Sequence, residues 1–350
     1  MRYVYPDYYK KFECIGGECI DTCCAGWQVD VDDETAEMYK GLPLPIGDRL
    51  RDRLRGKKGG YYFKLAPKRR CPFLNDKNLC DIILSLGEGG LCVTCTEYPR
   101  FYADTPIYEQ VDLTLSCPEA AEIFFSTNEP IKYITEDISD EDREDDGLFG
   151  EDPFGGEDAE MDEEAFEEQI EESDMDEEDE KRLLLVLSDR DHAISVMQDR
   201  SLDLIERWKE ALHFEVTDSD DENILRNINT MEVVNPLWTE FFDSINENLP
   251  LVQEKINLML SNRDEFLNCA LERFSTYMLF RYLIDIFYHE NPERTYKFIG
   301  RNLRILLLLL GESMIGETSV HISQKTMIER ARIFSRQIEH SDTNVEILLK

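Results

Sequence analysis

Nine of the ten cysteines in this 350-residue chain fall between Cys14 and Cys117, and only Cys269 lies outside that stretch. They come in order as Cys14-Ile15-Gly16-Gly17-Glu18-Cys19-Ile20-Asp21-Thr22-Cys23-Cys24, Cys71-Pro72-Phe73-Leu74, Leu79-Cys80, Cys92-Val93-Thr94-Cys95 and Ser116-Cys117-Pro118. Free cysteine is often buried and inert, but nine in so short a span, with a vicinal pair among them, are too many for that. Thiolates are soft ligands suited to zinc, copper(I) or iron–sulfur clusters. The stretch contains no histidine, which removes the commonest Cys/His zinc-finger spacings and leaves an all-thiolate shell. Only Cys92 and Cys95 make a CxxC pair. The remaining irregular intervals point to a cluster gathered by several loops, with zinc as the alternative metal. Cysteine followed by proline, at Cys71 and Cys117, is compatible with one cluster ligand pattern.

The cysteine distribution marks residues 1–135 as a cysteine-rich metal-binding domain. Such domains often have little regular structure because the metal organises them. Residues 27–32 alternate like a short strand, residues 33–39 read as the acidic start of a helix, and residues 61–65 alternate again. Residues 136–182 then hold 26 acidic side chains against three basic ones, and so carry 23 of the 37 net negative charges. This is an acidic low-complexity linker for which disorder is the default expectation. Residues 183–350 turn helical, with apolar spacings of three and four through Leu183, Ile194, Met197, Leu204 and Trp208. Further runs cover 236–246, 249–260, 263–288, 292–312 and 323–339. Asn291-Pro292-Glu293 is a helix start with proline at the first position. The expected fold class is mainly α, an irregular cysteine-rich domain followed by an all-α domain. Cys269, on a helical run, is expected in the core.

A net charge of −37 repels phosphate and argues against a nucleic-acid partner, although its concentration in one tract makes it a poor guide to the folded part. The ten basic residues in 49–70 read as a solvated face, or as a dock for anions or for the acidic tract. The opening MRYVYPDYYKKFEC lacks an apolar stretch of signal-peptide length, so a reducing, cytoplasmic compartment is expected. The longest apolar run, 305–310, is too short to span a bilayer and reads as buried helix.

The chain resembles the flagellin lysine-N-methylase family. The resemblance is carried by Pro6-Asp7-Tyr8, Phe12-Glu13-Cys14, Asp21-Thr22-Cys23-Cys24-Ala25-Gly26-Trp27, Cys71-Pro72-Phe73-Leu74, Leu86-Gly87-Glu88, Thr94-Cys95-Thr96-Glu97-Tyr98-Pro99-Arg100 and Leu115-Ser116-Cys117-Pro118-Glu119. Phe334-Ser335-Arg336-Gln337-Ile338-Glu339-His340-Ser341 is similar to the family's C-terminal end. The resemblance implies methyl transfer from S-adenosylmethionine to lysine ε-amino groups of flagellin, with an iron–sulfur cluster, [4Fe-4S] in type, in the enzyme. A broader group of cysteine-cluster proteins shares the double-cysteine and Cys-Pro-Phe-Leu pieces, so a non-catalytic zinc- or iron-binding module is the alternative. No Gly-rich strand-to-helix loop of the Rossmann type is present; Gly87-Glu88-Gly89-Gly90 lacks the flanking pattern. The acidic tract departs from the family pattern.

The expected metal ligands are Cys14, Cys19, Cys23, Cys24, Cys71, Cys80, Cys95 and Cys117. Cys92 is set aside because the family motif does not require it. Eight thiols exceed the four ligands of one cluster, so either some are structural or two metal sites exist. Methyl transfer needs a neutral lysine amine. Tyr98, Glu339 and His340 are the motif residues that could supply polarity or accept a proton, and Arg100 and Arg336 could grip the donor carboxylate. The plainer role for each is a surface ion pair or an interdomain contact. Trp27 is expected to shield the metal from water.

Overall fold

The computed structural model describes residues 2–43, 45–137, 159–160, 175–318 and 321–350. The cysteine-bearing stretch is more regular than its composition suggests. Its first strand, β1 (Arg2–Pro6), is buried at every residue. It lies inside a five-stranded sheet ordered β5 (Arg100–Asp104), β6 (Glu109–Leu113), β1, β7 (Tyr133–Asp137), β8 (Ala159–Glu160). β1 runs parallel to β6, with Tyr3 opposite Glu109, and antiparallel to β7, with Val4 opposite Thr135. Strands covered on both faces lose the in–out alternation by which strands are read. A second sheet, ordered β2 (Asp30–Val31), β4 (Gly60–Phe63), β3 (Leu54–Lys57), organises the cysteine loops. The alternating run at 27–32 thus contracts to two paired residues, whereas the one at 61–65 is β4.

Between these strands, α1 (Asp33–Gly41) starts where its acids place it. The Asp32 carboxylate accepts the Thr35 N–H at 2.8 Å and, through its other oxygen, the Val93 N–H at 3.0 Å. One N-cap therefore also ties the helix to the Cys92 loop. Four short helices follow: α2 (Ile46–Arg53), α3 (Asp81–Leu86), α4 (Val93–Glu97) and α5 (Pro118–Phe124). Cys80, Cys92 and Cys117 are the N-cap residues of the last three.

The rest is helical, as the spacings require. Helix α6 (Glu177–Gln198) begins inside the acidic tract, with four acids in its first turn facing the positive helix end; residues 138–158 and 161–174 of that tract lie outside the described residues. Then come α7 (Leu204–Leu212), α8 (Asp221–Ile228), α9 (Pro236–Ser261), α10 (Glu265–Tyr282), α11 (Asp285–His289), α12 (Pro292–Glu312), α13 (Gln324–Ile338) and α14 (Asp342–Leu349). The runs at 236–246 and 249–260 form one helix, broken at Asn248 (φ −123°) just before Pro250. Helix α12 is buried all round through Leu306, Leu307, Leu308, Leu309 and Leu310. It lies against α9 so closely that a Cβ at Gly311 would stand 2.9 Å from Ile256. No described helix is long and apolar enough to cross a membrane.

Two apolar cores result. The larger joins Tyr3–Tyr9 and the sheet around Val111 and Leu113 to the helices; the smaller is built from Val29, Val31, Tyr39, Leu50, Phe63, Phe73 and Ile82. Buried ions are paired: Arg304 makes a bidentate contact with Asp221 at 2.6 and 2.7 Å, and Glu272 accepts from Arg207 at 2.6 Å and Arg200 at 2.8 Å. Cys269 is buried in α10.

Candidate functional site

The double-cysteine loop is clamped to α13. Asp21 accepts two bonds from Arg336 Nη1, at 2.9 and 3.0 Å, and one from Arg332 Nη2 at 2.5 Å. Arg336 Nη2 also donates to the Ala25 carbonyl. The next residue, Gly26, has φ +97°, and a Cβ there would overlap the same guanidinium. Only glycine fits both the backbone twist and the close approach. Arg336 is therefore engaged in holding the loop. Its guanidinium also lies 5.1 Å from the Trp27 ring, within cation–π range.

Trp27 in turn packs on His340, with ring centroids 4.6 Å apart, and edge-on against Tyr98 at 5.2 Å. His340 Nε2 lies 2.7 Å from Ser116 Oγ, which lies 3.1 Å from the Tyr98 hydroxyl. Thr114 Oγ1 bonds Ser335 Oγ at 2.9 Å beside them. The residues just before Cys117 and just after α13 thus meet over the cysteine loop. Burial, reinforced by Arg281 and Arg336, pushes His340 down to about 3; it stays neutral near pH 7 and serves as a hydrogen-bonding ring rather than a charged one. Burial pushes the Tyr98 hydroxyl well above its ordinary value, with Cys117 and Cys23 adding to the shift.

Behind His340 lies a cluster of buried polar side chains. Glu339 accepts from Tyr277 at 2.7 Å and Tyr282 at 3.1 Å, and pairs with Arg281 at 3.2 Å. Asp112, projecting from β6, accepts from the Tyr8 hydroxyl at 2.6 Å and feels both Arg281 and Glu339. Each carboxyl keeps one buried oxygen, Asp112 Oδ2 and Glu339 Oε2, with no hydrogen-bond partner among the described residues. Burial pushes Asp112 up to about 7. A carboxyl in that range can exchange a proton at neutral pH.

Of the residues singled out in the sequence, Tyr98, Glu339, His340 and Arg336 come together here. Arg100 does not join them; its guanidinium sits against the rings of Tyr9 and Phe12, at 6.0 and 5.9 Å. Sequence reading missed Asp112, Arg281, Tyr277, Ser116 and the Asp21 clamp. The one available signal was a lone acid in the otherwise apolar run Val111-Asp112-Leu113.

The thiols gather around this junction without disulfides among the described residues. Cys14 and Cys19 act electrostatically on Cys117, and Cys14 and Cys117 on Cys23. Cys71 feels Cys24 and Cys80, and Cys95 feels Cys24 and Cys71. Burial raises Cys117 to about 11 and Cys71 to about 12, so these thiols ionise only when a cation compensates the lost hydration. Among the described residues no three His, Cys, Asp or Glu side chains converge at single-ion spacing. The donor set nonetheless suits a thiolate-bound cluster. Backbone N–H groups of Glu119 and Ala120 point at Cys117, that of Phe73 at Cys71, and those of Ile82 and Ile83 at Cys80. Such donors stabilise anionic sulfur and tune the metal it binds.

Fold and site together define a thiol-rich head locked onto a helical body through an aromatic and acidic junction. A stretch of 120 residues, 33% of the chain, is 28% identical to proteins named Lysine-N-methylase from Salmonella typhimurium and Salmonella choleraesuis, and likewise to the Flagellar biosynthetic protein FliU of Salmonella muenchen. It spans 30% of the length of either Lysine-N-methylase and 71% of FliU. No protein-family profile and no solved structure matches. Over that third of the chain the sequence is similar to proteins named for lysine methylation and flagellar biosynthesis.

Proposed function

We propose that this protein is a lysine N-methyltransferase acting on flagellin, with S-adenosylmethionine as donor and the buried polar side chains of Asp112, Glu339 and Arg281 as the site of proton transfer. The observation that carries the reading is the pair of buried carboxyl oxygens, on Asp112 and Glu339, left without partners among the described residues. In the reaction the lysine Nε lone pair forms a bond to the methyl carbon as the sulfonium C–S bond breaks. The nitrogen gives up a proton, and S-adenosylhomocysteine leaves. An ammonium has no lone pair to attack with, so the substrate must first be deprotonated. Asp112, half-ionised near neutral pH, is the acceptor, with Oδ2 available while Tyr8 occupies Oδ1. Arg281 stabilises the Glu339 carboxylate. Neutral His340 and the Ser116 and Tyr98 hydroxyls form a hydrogen-bonded chain beside Cys117 and Cys23.

Cys14, Cys19, Cys23 and Cys117 would hold an iron–sulfur cluster next to Tyr98, supplying a Lewis-acidic, redox-active centre when bound. Arg336 orders the loop that carries one of these ligands, Cys23.

The test is to purify and reconstitute the full chain without oxygen, incubate it with flagellin and methyl-labelled S-adenosylmethionine, and map label by peptide mass spectrometry. Label on flagellin lysines, lost in Asp112→Asn, is the expected result. Stoichiometric metal with no label transferred would remove the methylase reading and leave a non-catalytic metal-binding protein.

A further inference from the structure

Six of the nine clustered thiols are placed by the two cores. Cys117 belongs to the larger core, and Cys71 and Cys92 to the smaller, against which Cys24, Cys80 and Cys95 pack. Backbone geometry gathers this second set. The Cys71 N–H donates to the Cys24 carbonyl at 2.7 Å, which lays the two segments side by side. A bridge between Leu74 and Cys80 folds the intervening chain back on itself and returns Cys80 to the same place. Cys95 sits in α4, one turn after Cys92. Cys92 itself is fully buried, and its Sγ donates to the Asp30 carbonyl at 3.5 Å. Cys92 also bonds Cys95, and with Cys92 engaged in these two contacts the other thiols of the set are Cys24, Cys71, Cys80 and Cys95. Phe63, Phe73, Ile82 and Tyr39 form the core they pack against, with Cys71 buried and Cys24, Cys80 and Cys95 half-buried. The other four, Cys14, Cys19, Cys23 and Cys117, lie on the side of the helical body.

We propose that the protein holds two iron–sulfur centres, one on Cys14, Cys19, Cys23 and Cys117 and a second on Cys24, Cys71, Cys80 and Cys95, with the vicinal pair Cys23-Cys24 giving one ligand to each. Four thiolates complete a cluster of the [4Fe-4S] type, so eight are used without remainder and Cys92 is excluded. Consecutive Cα atoms stand about 3.8 Å apart, so the shared dipeptide makes the two centres neighbours. The first centre lies beside Tyr98; the second lies against the small core and ties its loops together. The inference rests on the cluster chemistry of the proposed function and adds the second centre to it.

Anaerobic reconstitution of the full chain, followed by iron, sulfide and zinc analysis, tests it. The expected content is about eight irons and eight sulfides per chain. The pair Cys23→Ser, Cys117→Ser should remove about half, the pair Cys71→Ser, Cys95→Ser the other half, and Cys92→Ser none. Unmodified protein, reduced with dithionite, should give a spin-coupled electron paramagnetic resonance signal from two adjacent centres, a readout that needs no variant to fold. About four irons with an uncoupled signal would overturn the second centre while leaving the first intact. So would zinc replacing iron at the second set. Protein that takes up no iron at all would overturn the cluster in both readings.

Discussion

Two buried groups in the junction titrate in opposite senses, and each leaves its own mark on stability. Asp112 titrates near 7 in the folded chain against an ordinary value of about 3.9. Between those values the folded chain binds more protons than the unfolded one, so Asp112 makes stability fall as pH rises from about 4 to about 7, and not beyond. Replacing it with asparagine should flatten that fall and leave the variant more stable at pH 8, by up to about 4 kcal/mol, in urea titrations run across pH. The same substitution should lower methyl transfer roughly 100-fold and remove the rise in rate through pH 7. A variant that is less stable at pH 8 yet fully active would show that Asp112 is structural. His340 works the other way. With its folded value near 3 and an ordinary one of about 6.5, it contributes stability that is present above pH 6.5 and lost as pH drops toward 3. His340→Gln, which keeps a hydrogen-bonding side chain, should therefore lose less stability on acidification than the parent. An acid limb identical to the parent's would mean that the imidazole is not buried neutral. Tyr98 and the Glu339-His340 pair were legible from motif position. Asp112 was not, because a strand covered on both faces gives no alternation to say which of its residues points inward.

At the scale of elements, the loop from Asp21 to Trp27 and helix α13 act as one unit. Arg336 serves three acceptor contacts at once: two on Asp21 and one on Ala25. The side chain of Asp21 is 42% exposed, so solvent screens the pair and the charge term is modest; the geometry of the fork matters more. Arg336→Ala should cost on the order of 2 kcal/mol, and Arg336→Lys should recover only part of it. A double-mutant cycle with Asp21→Asn should return a coupling of about 1 kcal/mol; additive effects would mean that the contact does not hold the loop. Gly26→Ala should be as damaging as Arg336→Ala, since it strains the backbone and displaces the same guanidinium. The sequence reading left Arg336 open between a grip on the donor carboxylate and an interdomain contact, because spacing along a chain cannot show which acid a long cation will meet three hundred residues away. It located α12 well, where Asn291 caps and Pro292 opens a helix with a continuous apolar core. It passed over α8 and α14, eight residues each, too short to display a repeating stripe.

For the whole molecule, the division into two cores sets what happens when metal is withdrawn. The larger core continues through α6 to α13 and contains the fully buried stretch of α12. The smaller has nine buried apolar side chains besides Cys71 and Cys92, and a core of that size rarely holds a fold without added cross-links. Metal binding free energy is folding free energy in such a region. Of its thiols, Cys71 and Cys80 are pushed up by burial, so without a cation they stay neutral and supply only weak hydrogen bonds. Chelation under anaerobic conditions should therefore open the head while the helical body survives. Hydrogen exchange followed by mass spectrometry should show protection lost over residues 29–95, including β4 and α1, and retained over α10 and α12. Far-ultraviolet circular dichroism should change little, because most helical residues lie outside the head. Loss of protection everywhere at once would mean that the Asp21 clamp and the His340 junction couple the two cores into a single cooperative unit. Unchanged protection over 29–95 would mean that the small core stands without metal, and that its cysteines serve packing alone.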